Sequence, residues 1–223
     1  MNLRLPAALA ATTTLALGAA ACGSSNSNSS SSSDSKAAST KVAPLASIPT
    51  LSGKQTTVTL DPGFVQALTT LKVAPGPVGN AKITKGGNAI FPITGGNVKY
   101  YKPGSISPYV QGEIDHAGSG LSLTAGGKKV ELTDFVVDPG KSVLTGKVSV
   151  DGKVAAPSAP LFFLDGRTLQ PLQVRKDNGT AVLQGTTVKL KQEAADLLNK
   201  TFGITALKAG LVIGVAKITV NTA

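Results

Sequence analysis

The chain is 223 residues long, with 22 Lys and Arg against 12 Asp and Glu, a formal net charge of +10, one Cys, one His and no Trp. That length suits one domain or two fused halves, and it buries a sizeable core. A single cysteine excludes an internal disulfide, and lysines scattered singly, without interleaved aromatics, speak against nucleic acid as a partner.

The N-terminus reads as a leader. Arg4 supplies a positive start, residues 7–17 a short apolar run, and residues 19–21 are three alanines placed just before Cys22. The run is shorter than the about 20 apolar residues of a membrane span. The pattern resembles a bacterial lipoprotein signal, with Ala19 where that family usually has Leu. The resemblance implies that the Cys22 thiol receives a diacylglyceryl group and becomes the mature N-terminus. The expected address is then the extracytoplasmic face of the cell membrane, held by lipid. Ordinary signal cleavage after the same alanines is the alternative, and would leave Cys22 a free thiol. Residues 24–40 are almost entirely Ser, Asn, Ala and Gly. They bury too little apolar surface to offset their ordering entropy, which predicts a flexible tether. The expected organisation is a signal peptide over 1–21, a Ser-rich tether over 22–44 and a single β-rich domain over 45–223.

Within that domain two stretches look like copies of one unit. Thr-Thr-Val-Thr-Leu at 56–60 recurs as Thr-Thr-Val-Lys-Leu at 186–190. Each precedes a helical pattern and then a Gly-x-Ala-Lys-Ile-Thr run, at 79–84 and at 214–219. Their shared order predicts a duplicated strand–helix–strand unit. In the first helix Asp61 is a natural cap, Pro62 suits the first position, and Phe64, Leu68 and Leu71 recur at helical spacing. In the second, Glu193 and Lys200 complement the helix dipole, Ala194, Leu197 and Leu198 form the apolar stripe, and Gly203 offers a left-handed stop.

Strands are predicted at 88–93, 98–101, 109–116, 121–124, 129–137, 142–150, 159–164, 168–174 and 180–190. Turn signals separate them: Asp138-Pro139-Gly140, Asp151-Gly152, Asp165-Gly166 and Asn178-Gly179. The predicted fold class is mainly β: a β-sandwich or partly closed barrel carrying two short helices from the duplicated unit.

Chemistry-bearing residues are few. On a strand, Glu113 and Asp115 share one face while His116 points to the other with Ile114, so this segment gathers no metal site. His116 reads as an ordinary strand-end histidine. A catalytic triad would have to use that one histidine, and no Gly-x-Ser-x-Gly elbow or phosphate-binding glycine loop is present. No catalytic residue is assigned. Tyr100, Tyr101 and Tyr109 form an aromatic cluster, and because neighbouring strand residues alternate in direction, at most one of Tyr100 and Tyr101 lines any given pocket.

The segment Gly112-x-Ile114-x-His116-x-Gly118-x-Gly120-Leu121-x-Leu123, with the strands that follow it to Asp151, resembles part of the HtaA family. That resemblance implies a β-rich bacterial surface domain that binds haem through a tyrosine ligand with a histidine close by. His116 stands in the matching glycine-flanked context, with Tyr100, Tyr101 and Tyr109 as the tyrosines on offer. The family's tryptophan- and tyrosine-bearing N-terminal motif is absent. The chain thus reads as a non-enzymatic, lipid-anchored envelope protein serving as a structural or interaction module. The alternative is a small-ligand carrier for haem or a lipid, which a deep apolar cavity would favour. Expected partners are the membrane, through the N-terminal lipid, and anionic envelope polymers or another envelope protein. No cofactor is expected beyond the haem that the resemblance raises.

Overall fold

The structure is a computed structural model and describes residues 42–222, so Cys22, the leader and most of the Ser-rich stretch lie outside the described residues. In chain order the elements are β1 (Ala46–Ile48), β2 (Lys54–Leu60), α1 (Pro62–Thr70), β3 (Ala74–Gly79), β4 (Lys82–Ile83), β5 (Asn88–Pro92), β6 (Gly95–Tyr100) and β7 (Val110–Ala125). They continue as β8 (Lys128–Asp138), β9 (Val143–Val150), β10 (Lys153–Asp165), β11 (Gln173–Arg175), β12 (Thr180–Leu190), α2 (Gln192–Phe202) and β13 (Val212–Asn221). Among the described residues no helix is long and apolar enough to cross a membrane.

The strands form one sheet in the order β1-β6-β7-β8-β9-β10-β12-β13-β2-β5-β4, with β3 added on β7 and β11 on β12. Every pairing is antiparallel. A sheet of this many twisted strands curls on itself, and here it makes a half-barrel, the partly closed barrel of the two predicted architectures. Thr94, between β5 and β6, helps to narrow the gap: its amide and hydroxyl both donate to the Asp115 carbonyl, and its hydroxyl accepts from the Ala117 amide.

β7 is the longest strand, and a bulge divides it. His116 pairs with Phe135 and Gly120 with Thr133, so the register shifts between them. Gly118 takes a φ of 69°, a region that favours glycine. Its amide donates to the Asp134 carboxylate at 2.9 Å, and that carboxylate pairs with Lys147 at 2.6 Å. The bulge lets the two halves of β7 take different neighbours, β6 before it and β3 after it. The segments predicted separately at 109–116 and 121–124 are therefore one bent strand.

The strands expected from the sequence do not include β3, which carries Pro75 and Pro77; on an edge, paired only to β7, their missing N–H groups cost no ladder bond. The strand predicted at 168–174 gives way to a single 3-10 turn at Gly166–Thr168, loop, and the short β11. The Asp165 side chain caps that turn by accepting from the Arg167 amide, which ends β10 there.

The helices follow their sequence signals closely. Asp61 accepts from the amides of Gly63 and Phe64, Pro62 opens α1, and Gly203 closes α2 with a left-handed φ of 68°. Leu68 and Leu198 are both 4% exposed. In α2 the buried stripe is Ala194, Ala195 and Leu198, with Leu197 half-buried. The strand–helix halves of the two matched units correspond, β2–α1 with β12–α2. Their Gly-x-Ala-Lys-Ile-Thr runs occupy different places: the second lies within β13, antiparallel to β12, while the first straddles the turn from β3 into the two-residue β4.

Candidate functional site

The concave side of the curled sheet encloses a cavity of about 660 Å³. Its wall is built by alternation. Val58 and Leu60 on β2, Ala216, Ile218 and Val220 on β13, and Ala181 and Leu183 on β12 point inward from their strands. The wall is apolar, mainly aliphatic, with Phe91, Phe135, Phe162, Tyr100 and Tyr109 among the aromatics that join it. Exposed members of the lining mark where the cavity meets solvent, among them Phe163, 44% exposed, Val174, 53% exposed, and Arg167 on one side and Ser47 and Ser107 on another stretch of the lining.

His116 is not a strand-end residue. It is 2% exposed, sits immediately before the β7 bulge, and lines the cavity. Its Nε2 lies 2.9 Å from the Thr56 hydroxyl on β2, a contact that spans the interior between strands far apart in the sheet order. Phe91 meets the imidazole edge-on at 6.3 Å between ring centroids, and meets Phe135 in the same way at 5.3 Å. The His116 Nδ1 is buried and has no hydrogen-bond partner among the described residues. Burial pushes the imidazole pKa down to about 4, with the backbone of Phe135 and Ile114 pulling weakly the other way. His116 is therefore neutral at physiological pH. Ile114 is buried beside it, while Glu113 and Asp115 lie on the opposite face, and among the described residues no group of three His, Cys, Asp or Glu gathers to hold a metal ion.

Tyr100 and Tyr109 also line the cavity, packed edge to face at 5.7 Å, whereas Tyr101 points away from it. Desolvation, and then the neighbouring Tyr100, raise the Tyr109 pKa, so its phenol stays protonated. Tyr100 pairs with Val110, six residues before His116 along β7, which is about 20 Å of strand at about 3.3 Å per residue. The structure thus does not bring a tyrosine to the histidine: the side-chain oxygen at His116 is the Thr56 hydroxyl. A haem held by a tyrosine with a histidine close by finds no such pair here.

A second polar feature lies at the cavity's edge. Asp165 and Arg167 are the only charged residues in the lining. The Arg167 guanidinium grips the Asp165 carboxylate with two bonds, Nε to Oδ1 at 2.8 Å and Nη2 to Oδ2 at 2.6 Å. Lys189 adds a third through Nζ to Oδ2 at 2.8 Å. Arg167, then Lys189, hold the Asp165 pKa well below the usual carboxylate range. In the sequence Asp165-Gly166 shows only as a turn, and Lys189, which is distant along the chain, carries no signal of this pairing. Thr56 was legible in principle, since it shares the inward register of Val58 and Leu60.

No protein-family model and no curated protein matches this chain. Among solved structures, the N-terminal domain of HtaA from Corynebacterium glutamicum aligns with a TM-score of 0.48 at 11% identity, over 78% of this chain and 98% of that one. The haem-binding protein HtaB of the same organism aligns at 0.35 with 12% identity, over 79% and 96%. Both scores are too low to carry an inference. The C-terminal domain of HtaA from Corynebacterium glutamicum aligns with a TM-score of 0.53 at 13% identity, over 77% of this chain and 98% of that domain, so the chain is similar to that domain in fold.

Proposed function

We propose that this protein is a non-catalytic carrier of a small apolar ligand, working at the extracytoplasmic face of the membrane with a lipid on Cys22 as its anchor. The cavity carries this reading. About 660 Å³ of space walled by aliphatic and aromatic side chains within one domain is the size and character of a ligand site. A packed core has no use for such a void, because lining atoms that face empty space forfeit their dispersion contacts. The likeness in fold to an HtaA domain supports the same class of role. The sparse ionisable groups of the wall, with a neutral His116, offer no acid–base pair for chemistry.

Two measurements test it. Native mass spectrometry of the protein purified from its own host should show carried mass that denaturation removes. Titration with the neutral dye N-phenyl-1-naphthylamine should give saturable, one-to-one fluorescence enhancement. No carried mass and no saturation would leave the structural or interaction module as the better reading. Adding haem is expected to give no saturable Soret shift; a one-to-one shift lost on mutating His116 or Tyr100 would make haem the cargo. Cys22→Ser should release the protein from membranes, and a processed variant that still partitions into detergent would refute the anchor.

A further inference from the structure

Resting on the carrier reading, we infer that the ligand is an amphiphile with an aliphatic tail and an anionic head, and that Arg167, backed by Lys189, receives that head at the edge of the cavity. The first observation is the hydrogen-bonding state of Asp165. Its Oδ1 accepts from the Arg167 amide and Nε, and its Oδ2 from Arg167 Nη2 and Lys189 Nζ. Both oxygens are saturated, so the carboxylate has no capacity left for a ligand hydroxyl or amine. Among the described residues the two cations keep donors in reserve: Arg167 Nη1 makes no bond to them, and Lys189 Nζ uses one of its three N–H groups. One carboxylate against two cations leaves an excess positive charge at the cavity's edge, where Asp165 and Arg167 belong to the lining and Lys189 stands just outside it. A donor-only, net-positive cluster complements a carboxylate or a phosphate.

The second observation is the wall around it. Phe163 and Val174 expose apolar surface where the cavity opens, and inward from them the lining is Leu164, Leu169, Leu172 and Leu183. A neutral hydrocarbon would use that wall and leave the cluster idle. A compact polar anion would use the cluster and leave the wall empty. A molecule joining both matches both. The Arg167 side chain is 84% exposed while it is held on Asp165, so its unused donors meet solvent and can take a head group without breaking that pair.

The test uses cis-parinaric acid, a fluorescent fatty acid, and its methyl ester, bound at pH 7.5 to the wild type, Arg167→Gln, Arg167→Lys and Lys189→Gln. The acid should bind about tenfold more tightly than the ester, and added salt should narrow the gap. Arg167→Gln should remove most of that preference, weakening the acid far more than the ester. Arg167→Lys should restore part of it, and Lys189→Gln should reduce it less than Arg167→Gln does. Competition by a lysophosphatidic acid against a fatty acid then shows whether the head is phosphate or carboxylate, since both would enter by the same chemistry. Equal binding of acid and ester, or a preference that survives Arg167→Gln, overturns the head-group assignment and leaves the carrier intact. If neither probe binds, the carrier reading falls and this inference with it.

Discussion

The two ends of the curled sheet solve one problem in opposite ways. Beneath α1 and α2, the inward side chains of Leu121, Leu123, Leu132, Leu190 and Ile213 meet Leu68, Leu198, Phe202 and Leu207, and a space of only about 40 Å³ remains. Toward the other end the same strands present equally apolar faces, yet no helix among the described residues enters, and the faces enclose a cavity of about 660 Å³. Hydrophobicity alone therefore does not decide what becomes core and what becomes site. What decides is whether the chain supplies its own plug. His116, with Thr56, Phe91 and Phe135, forms a polar and aromatic bridge across the interior between the two arms of the sheet.

The largest expected effect lies at the plugged end. Leu198→Ala should cost about 2–5 kcal/mol, because the tight packing around it cannot collapse into the gap. Urea denaturation followed by circular dichroism would read this as a lower midpoint with an unchanged slope, and a loss under about 1 kcal/mol would show that the helix is not a plug.

Next comes the bridge. The folded His116 titrates at about 4 against 6.5 in the unfolded chain, so between these values the unfolded state binds more protons. Stability should thus be full above pH 6.5 and fall as the pH drops toward 4, by about 3 kcal/mol in all. His116→Gln should flatten that slope in a series of thermal melts. The lowered pKa values of Asp134, Asp138 and Asp165 act in a separate window, since their contribution is lost only below about pH 4. A wild-type melting temperature constant from pH 7 to 4.5 would show that the imidazole is not held neutral.

At the open end truncation should be milder. Leu144→Ala, whose side chain already faces the cavity, should cost about 1–2 kcal/mol, less than Leu198→Ala by the same denaturation assay. Parity between the two would mean that the cavity wall is packed as tightly as the plugged end. The smallest effect belongs to the rim: Phe163→Ser should change stability by no more than about 0.5 kcal/mol. It should nevertheless weaken binding of N-phenyl-1-naphthylamine, so a rim variant with normal stability and normal binding would separate the rim from the ligand path.

Particular residues show how far the sequence carried. Asp61, Pro62 and Gly203 marked the helix ends because caps are local chemistry, satisfied within three or four residues. The alternation of Ile114 and His116 against Glu113 and Asp115 placed their two faces correctly. The bend in β7 was less legible: it needs Gly118 in a left-handed conformation together with Asp134, a residue of the next strand, to hold it. β3 was hidden because a proline's fitness for a strand depends on whether that strand is an edge, and a neighbour list is not written in the segment itself.

By itself the sequence determined the β-rich class, the turns, the two helices and which side chains share a face, all consequences of backbone periodicity and short-range hydrogen bonding. Only the tertiary structure decided that those faces surround a cavity, that His116 meets Thr56 rather than a tyrosine, and that Lys189 joins Arg167 on Asp165. The reason is physical. Curl accumulates a small twist at every strand pairing, so the position of β7 relative to β2 depends on all the strands between them, and no local stretch of sequence contains that sum.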